Sequence, residues 1–246
     1  MKLTDHIYLA GSGRQGFNLT HELDCHVFLV TDGSESVLID AGGGLESHRV
    51  IEEIRSDGID PASISRLFLT HAHADHAAGA HALKDLLGVD VFASDIAAEY
   101  VRTGDDHAIS LDRARDAGGY PADFPFHACD IAGTLENGQR IPVGSLELEV
   151  VPTPGHCGGH ISFVLHRPGG LDILGGDAVF AGGKILLQDI WDCSVTESCR
   201  SVERLAAFRP EGLYPAHGPI SRSRGWSHLD QGVASMAGLL PPPQFG

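Results

Sequence analysis

The chain of 246 residues is poor in cations: 17 lysines and arginines stand against 33 aspartates and glutamates, a formal net charge of −16. A surface of that sign repels polyanions over a Debye length, which argues against nucleic acid and anionic membranes as partners. Aromatic residues are sparse at 7%, and no apolar run approaches the roughly 20 residues of a membrane span. No membrane crossing is therefore expected. The N-terminal stretch "MKLTDHIYLAGSGRQG" has an early acid and lacks the apolar core of a secretory signal, so a cytoplasmic protein is expected. Cysteine is present but not paired in sequence: the five residues Cys25, Cys129, Cys157, Cys193 and Cys199 are odd in number, scattered, and form no C-x-x-C. That argues against a disulfide framework and a zinc ribbon, and predicts reduced thiols.

What the chain has in plenty is histidine, 15 residues in all. A bound dication or two would offset part of the negative charge, and imidazole is the commonest metal ligand. The length suits one medium domain, and no Pro- or Ser-rich linker interrupts it, so a single domain over 1–246 is expected.

Gly11, Gly13 and Gly16 in "LAGSGRQGFN" have the G-x-G-x-x-G spacing of a dinucleotide cradle. That reading requires a helix opening at the last glycine, where free N–H groups meet the phosphate. The following "CHVFLVTDGSESVLIDAG" instead gives two short β-branched and aromatic runs split by Asp32-Gly33-Ser34, the pattern of a β-hairpin. The glycines are accordingly read as turn-permissive residues of a mobile loop joining two strands.

Downstream, "LESHRVIEEIRSDG" predicts a helix with Val50, Ile51 and Ile54 on one face, and "ISRLFLTHA" a buried strand. A helix over "AAGAHALKDLL", a strand "VDVFAS" and a helix from about Asp95 to Arg102 follow. Residues 103–131 read as an irregular lid or substrate wall, because structureless stretches of this length usually serve function. A β-rich half then gives strands in "IPVGSLELEVVPTPG", "HISFVLH", "LDILGGDAVF" and "GLYPAHG", a helix over "TESCRSVERLAAF" and a last helix over "WSHLDQGVASMAGLL". The final "PPPQFG" is expected to fray. Strands and helices in both halves predict a layered α/β architecture.

The chemistry concentrates where strands end. "HAHADH" puts His71, His73, Asp75 and His76 on one turn after a buried strand, a nitrogen and carboxylate set suited to zinc or iron. His156 in "TPGH", Asp177 in "GGDAVF" and His217 in "PAHGP" each follow another apolar run, with glycine or proline to turn the backbone. A buried Asp177 is costly unless something such as a metal satisfies it.

These motifs, taken in order, resemble the metallo-β-lactamase superfamily. The resemblance implies an αββα sandwich with a dinuclear site at one edge, holding two zinc ions, with iron or manganese as alternatives. It implies that His71, His73 and His156 hold the first ion, that Asp75, His76 and His217 hold the second, and that Asp177 touches both. Asp40, in "LIDAG", would orient the site from behind, and His160 would hydrogen-bond behind it. A water bridging two dications loses its proton near neutral pH and attacks the substrate. Asp75, the catalytic candidate, would orient it and pass the proton to the leaving group.

Asp177 points away from a true β-lactamase within the superfamily, and His73 stands where the diiron oxygen reductases carry glutamate. The expected activity is hydrolysis of a small-molecule thioester or ester, with a lactonase or β-lactam hydrolase on the same site, or a diiron redox protein, as alternatives. Arg14, Phe17, Asn18, Tyr120 and Phe124 are the candidate substrate contacts. The expected partner is a small acyl compound, with homodimerisation left open.

Overall fold

The computed structural model describes residues 1–245. Their contacts divide into two compact units, 1–135 and from 136 onward, where a single domain is expected from the sequence. Each unit is built around one sheet.

The first unit opens with β1 (Ile7–Gly11), β2 (Val27–Thr31) and β3 (Ser36–Ile39). All three pair antiparallel in sequence order, and the hairpin expected around Gly33 is present. Next come α1 (Ser47–Ser56), β4 (Ile64–Phe68), α2 (Ala74–Ala77), α3 (Ala80–Leu87), β5 (Asp90–Ala93) and α4 (Asp95–Thr103). The unit closes with α5 (Leu111–Asp116) and β6 (Gly133–Thr134). Strands β3, β4, β5 and β6 run parallel, so helical crossovers connect them. Sequence punctuation explains the boundaries: Ser94 caps α4 by accepting the Ala97 N–H, and Gly88 and Gly104 end α3 and α4 in the left-handed conformation.

Two local expectations change. The helix read through "AAGAHALKDLL" breaks at Ala78–Gly79, because the chain there is bonded to the end of β3. The Gly79 N–H donates to Gly42 O at 2.9 Å, and a β-carbon on Gly79 would meet Ala41 O at 2.1 Å. The segment expected to be irregular carries α5.

The second unit contains β7 (Arg140–Val143), β8 (Leu146–Pro152), β9 (Ile161–Arg167), β10 (Gly170–Gly176), α6 (Val195–Ala206), β11 (Gly212–Pro215) and α7 (Gly225–Ala237). Its sheet runs β11-β10-β9-β8-β7, antiparallel except for the parallel β10–β11 pair. Val151, Val164, Ile173, Val202, Leu205, Leu213 and Leu229 form its buried core.

The tail does not fray up to Phe245. The Phe245 N–H donates to Ile185 O at 2.8 Å, and its ring stacks on Phe180 at 4.1 Å. Phe180 in turn stacks on His217 at 6.4 Å. Proline-rich composition argued for fraying, and the aromatic residue behind it supplies the anchor. Replacing Phe245 with alanine is expected to cost about 1–2 kcal/mol, from lost area and the aromatic pair. Thermal unfolding checks this, and an unchanged midpoint would make the stacking incidental.

Candidate functional site

Parallel register builds the cluster in the first unit. Ile39 pairs with Phe68, so the residues leaving the carboxyl ends of β3 and β4 emerge side by side. Asp40 follows β3 directly, and its N–H donates to Phe68 O at 2.8 Å. It sits at φ +64°, a left-handed conformation that aspartate tolerates better than most side chains. Its buried carboxylate accepts the Thr70 N–H at 2.8 Å, while Thr70 Oγ1 lies 3.0 and 2.9 Å from its two oxygens. His76 Nδ1 lies 2.9 Å from Asp40 Oδ2.

These partners fix the ring protons. An ionised carboxylate only accepts, so His76 Nδ1 carries its proton toward Asp40, and the Thr70 hydroxyl donates there too. A lone pair of Thr70 Oγ1 is then left for the Nδ1–H of His71, 2.9 Å away. In both neutral rings the basic nitrogen is Nε2. Carboxylate-oriented histidines of this kind are the usual support of metal ligands. The rings crowd together, with centroids 4.0 Å apart for His71 and His76 and 4.6 Å for His71 and His73.

The turn that carries these residues is short. β4 ends at Phe68, an extended stretch brings His71 to His73, and the four-residue α2 presents Asp75 and His76. Asp75 Oδ2 lies 3.6 Å from His76 Nε2, and its other oxygen accepts the Tyr120 hydroxyl at 2.9 Å. Burial, followed by the charge of Asp75, holds the Tyr120 phenol well above its ordinary range, so it stays a donor. Cys25 lies behind the cluster, with its thiol within 4.8 Å of ligand atoms of Asp40 and His76. Burial pushes that thiol up to about 12, which keeps it protonated.

The second unit repeats the device. β10 and β11 are parallel, Gly176 pairs with Pro215, and Asp177 and His217 follow these ends. β8 runs in the same direction as β10, because each is antiparallel to β9, so His156 in the turn after β8 reaches the same edge. His156 Nδ1 faces Leu186 O at 3.2 Å; a carbonyl only accepts, so Nε2 is again the basic nitrogen. A directional chain sits behind Asp177. Gly175 O accepts from Ser162, whose oxygen accepts from Thr153, which accepts the Nδ1–H of His160. His160 Nε2 thus accepts the Asp177 N–H at 3.0 Å.

The spacings around Asp177 suit a cation better than a hydrogen bond. His156 Nε2 lies 3.5 Å from Asp177 Oδ2, and His217 Nε2 lies 3.6 Å from Asp177 Oδ1. Zinc bonds of 2.0–2.1 Å in tetrahedral geometry put two ligand atoms about 3.3–3.4 Å apart, whereas a charged hydrogen bond closes to about 2.8 Å. Asp177 also offers a different oxygen to each histidine, the arrangement of a bridging carboxylate.

The candidate substrate contacts separate. Arg14, Phe17 and Asn18 lie on an exposed loop, with Arg14 NH1 3.8 Å from Glu22 and the Phe17 ring 5.6 Å from His26. That loop is pinned rather than loose. Gly13 and Asp24, and Arg14 and Glu22, are joined by backbone hydrogen bonds, and Phe17 N–H donates to Ser12 Oγ at 2.7 Å. Its glycines supply room instead of unusual torsions, since a β-carbon on Gly16 would meet His26 Nε2 at 2.1 Å. Phe124 is buried, 2% exposed, and packs as an anchor of its segment. Tyr120 is half-buried and donates its hydroxyl to Asp75, a candidate ligand. Sequence reasoning passed over Thr70, although it opens the "THAHADH" motif, and gave no signal for Cys25.

The family model of the metallo-beta-lactamase superfamily matches residues 22–217. A probable metallo-hydrolase of Methanocaldococcus jannaschii is 25% identical over 80% of this chain and 89% of its own length. A hydroxyacylglutathione hydrolase of Pseudomonas paraeruginosa is 30% identical over 59% of this chain, which spans 43% of that protein. Among solved structures, a Cronobacter sakazakii metallo-beta-lactamase with a HARLDQ motif superposes with a TM-score of 0.73 at 21% identity, covering 97% of this chain and 96% of its own. That likeness shows the fold, two sheets with their helices. The chain belongs to the metallo-beta-lactamase superfamily and is a metallohydrolase.

Proposed function

We propose that the chain is a dinuclear, zinc-dependent hydrolase of small-molecule thioesters or esters. The observation that carries this reading is Asp177, whose two oxygens lie 3.5 and 3.6 Å from the ring nitrogens of His156 and His217. His71, His73 and His156 are assigned to one ion and Asp75, His76 and His217 to the other, with Asp177 common to both, on the pattern of the superfamily. The ions, when bound, would acidify a water and polarise the acyl carbonyl.

The chain's own residues supply order and direction. Asp40 and Thr70 hold His76 and His71 with Nε2 basic, and His160 holds the Asp177 backbone. Asp75 orients the attacking water and hands its proton to the leaving group. The relative named as a hydroxyacylglutathione hydrolase supports an acyl compound as substrate. The net charge of −16 disfavours nucleic acid. No disulfide joins any of the five cysteines, which supports a cytoplasmic setting; no helix among the described residues is long and apolar enough to cross a membrane.

The test is a panel of one acyl thioester, one lactone and one cephalosporin, assayed with chelated protein before and after zinc is restored. The expected result is thioester turnover that vanishes on chelation and returns with zinc. Faster turnover of the lactone or cephalosporin would move the substrate class. Oxygen consumption by iron-loaded protein without hydrolysis would sink the hydrolase reading.

A further inference from the structure

After α4 the chain makes a long excursion before β6, and its base is firmly held. Ile109 and Leu111 are buried, the Arg115 guanidinium joins the Asp106 carboxylate to the Phe124 carbonyl, and Phe124 is buried beside Gly43. The tip is different. From Asp116 to Asp123 every residue is exposed except Tyr120. A glycine pair, Gly118 and Gly119, precedes it, and Pro121 follows. The N–H groups of Ala117, Gly118 and Gly119 close the end of α5 by bonding the Arg113, Arg115 and Ala114 carbonyls at 2.9 Å; beyond them the tip is exposed backbone with few apolar contacts, which belongs to the less stable part of a fold. From this tip Tyr120 reaches inward: its ring leans on Phe124 at 4.7 Å, and its hydroxyl donates to Asp75 Oδ1 at 2.9 Å.

That bond divides the labour within one carboxylate. Oδ1 is held by Tyr120, and Oδ2 is the oxygen 3.6 Å from His76 Nε2. Without the tyrosine, rotation about the Cβ–Cγ bond would exchange the two oxygens at little cost. With it, the ligand oxygen is selected in advance.

We propose that Tyr120 is a positioning residue for Asp75, and that through it the 116–123 tip is coupled to occupancy of the ion site that Asp75 serves. The inference rests on the reading of Asp75 as a metal ligand. Coupling of this kind is reciprocal. An ion that fixes Asp75 fixes the tyrosine and orders the tip, and a chain that lacks the hydroxyl binds that ion less tightly.

The test uses the full chain, stripped of metal, with zinc as the only ligand. Tyr120→Phe keeps the ring on Phe124 and removes the hydroxyl alone. Zinc affinity and stoichiometry are read by competition with a chromophoric chelator, and amide exchange is followed across 104–126 with and without zinc. In the parent chain two zinc ions are expected to bind, with exchange over 117–123 slowed on loading. In Tyr120→Phe one of the two affinities should fall by about 10–100-fold, the usual effect of removing an outer partner of a metal ligand. The zinc-dependent protection of 117–123 should disappear with it. Equal affinities in both chains, or exchange over 117–123 that ignores zinc in the parent, would overturn the inference and leave the metal reading intact. A parent chain that binds no zinc would overturn the metal reading first and this inference with it.

Discussion

Replacing Asp40 with alanine is expected to destabilise the metal-free protein by about 3–5 kcal/mol, the usual cost of removing one partner from a buried charged network. The carboxylate is 2% exposed and accepts from the Thr70 backbone, the Thr70 hydroxyl and His76 Nδ1. Each donor stranded in the interior costs its uncompensated desolvation, about 1–3 kcal/mol. Backbone strain adds to this, because the residue sits at φ +64°, where alanine is less tolerated than aspartate. Against a total stability of about 5–15 kcal/mol, such a loss shifts the urea midpoint far down.

Asp40→Asn separates folding from metal support. Asparagine tolerates the left-handed backbone, yet one of its two terminal atoms is a donor. Whichever way the amide turns, either His76 Nδ1–H or the Thr70 pair faces an N–H₂ group instead of an acceptor. The cost to folding should be near 1–2 kcal/mol, while zinc affinity falls about 10–100-fold as His76 loses its carboxylate. An Asp40→Ala chain with the parent's urea midpoint would show that the network contributes nothing.

What could be read in advance follows from how far apart the determinants lie. The hairpin around Gly33 and the ends of α3 and α4 are written in neighbouring residues, as turn glycines and a serine cap. The motifs from His71 to His217 are legible for a similar reason: each is a ligand next to the strand end that carries it. The rest depends on register or on distant chain. The helix break at Gly79 comes from backbone contact with the end of β3, which no periodicity within "AAGAHALKDLL" reports. The Tyr120 to Asp75 bond spans 45 positions, and composition could only suggest that an aromatic residue would matter there. Phe245 is misjudged for a related reason. Its partner Phe180 stands beside a ligand-bearing strand end, far from the prolines that make the tail look unanchored.

Asp177→Asn should act on folding and on function in opposite senses, and that separates two accounts of the second cluster. A carboxylate buried to 3% exposure between two imidazoles is either half of a structural ion pair with protonated histidines or a ligand for cations. On the first account, the uncharged side chain breaks a buried pair and costs about 3–5 kcal/mol in the metal-free chain. On the second, the metal-free parent bears the desolvation of a charge whose proper partner is a cation. Removing that charge then leaves stability unchanged or raises it. The isostere keeps the backbone N–H that donates to His160, so the relay through Thr153 and Ser162 survives the change. With zinc at a thousand times its dissociation constant the parent should gain about 4 kcal/mol, seen as a rise in melting temperature. Asp177→Asn should lose most of that gain, and its hydrolytic rate should fall by at least about 1,000-fold, roughly 4 kcal/mol of barrier. Melting curves with and without zinc, read beside the assay, decide between the two accounts. A metal-free Asp177→Asn chain several kcal/mol less stable than the parent would assign the cluster to structure and take the bridging ligand away from the proposed site.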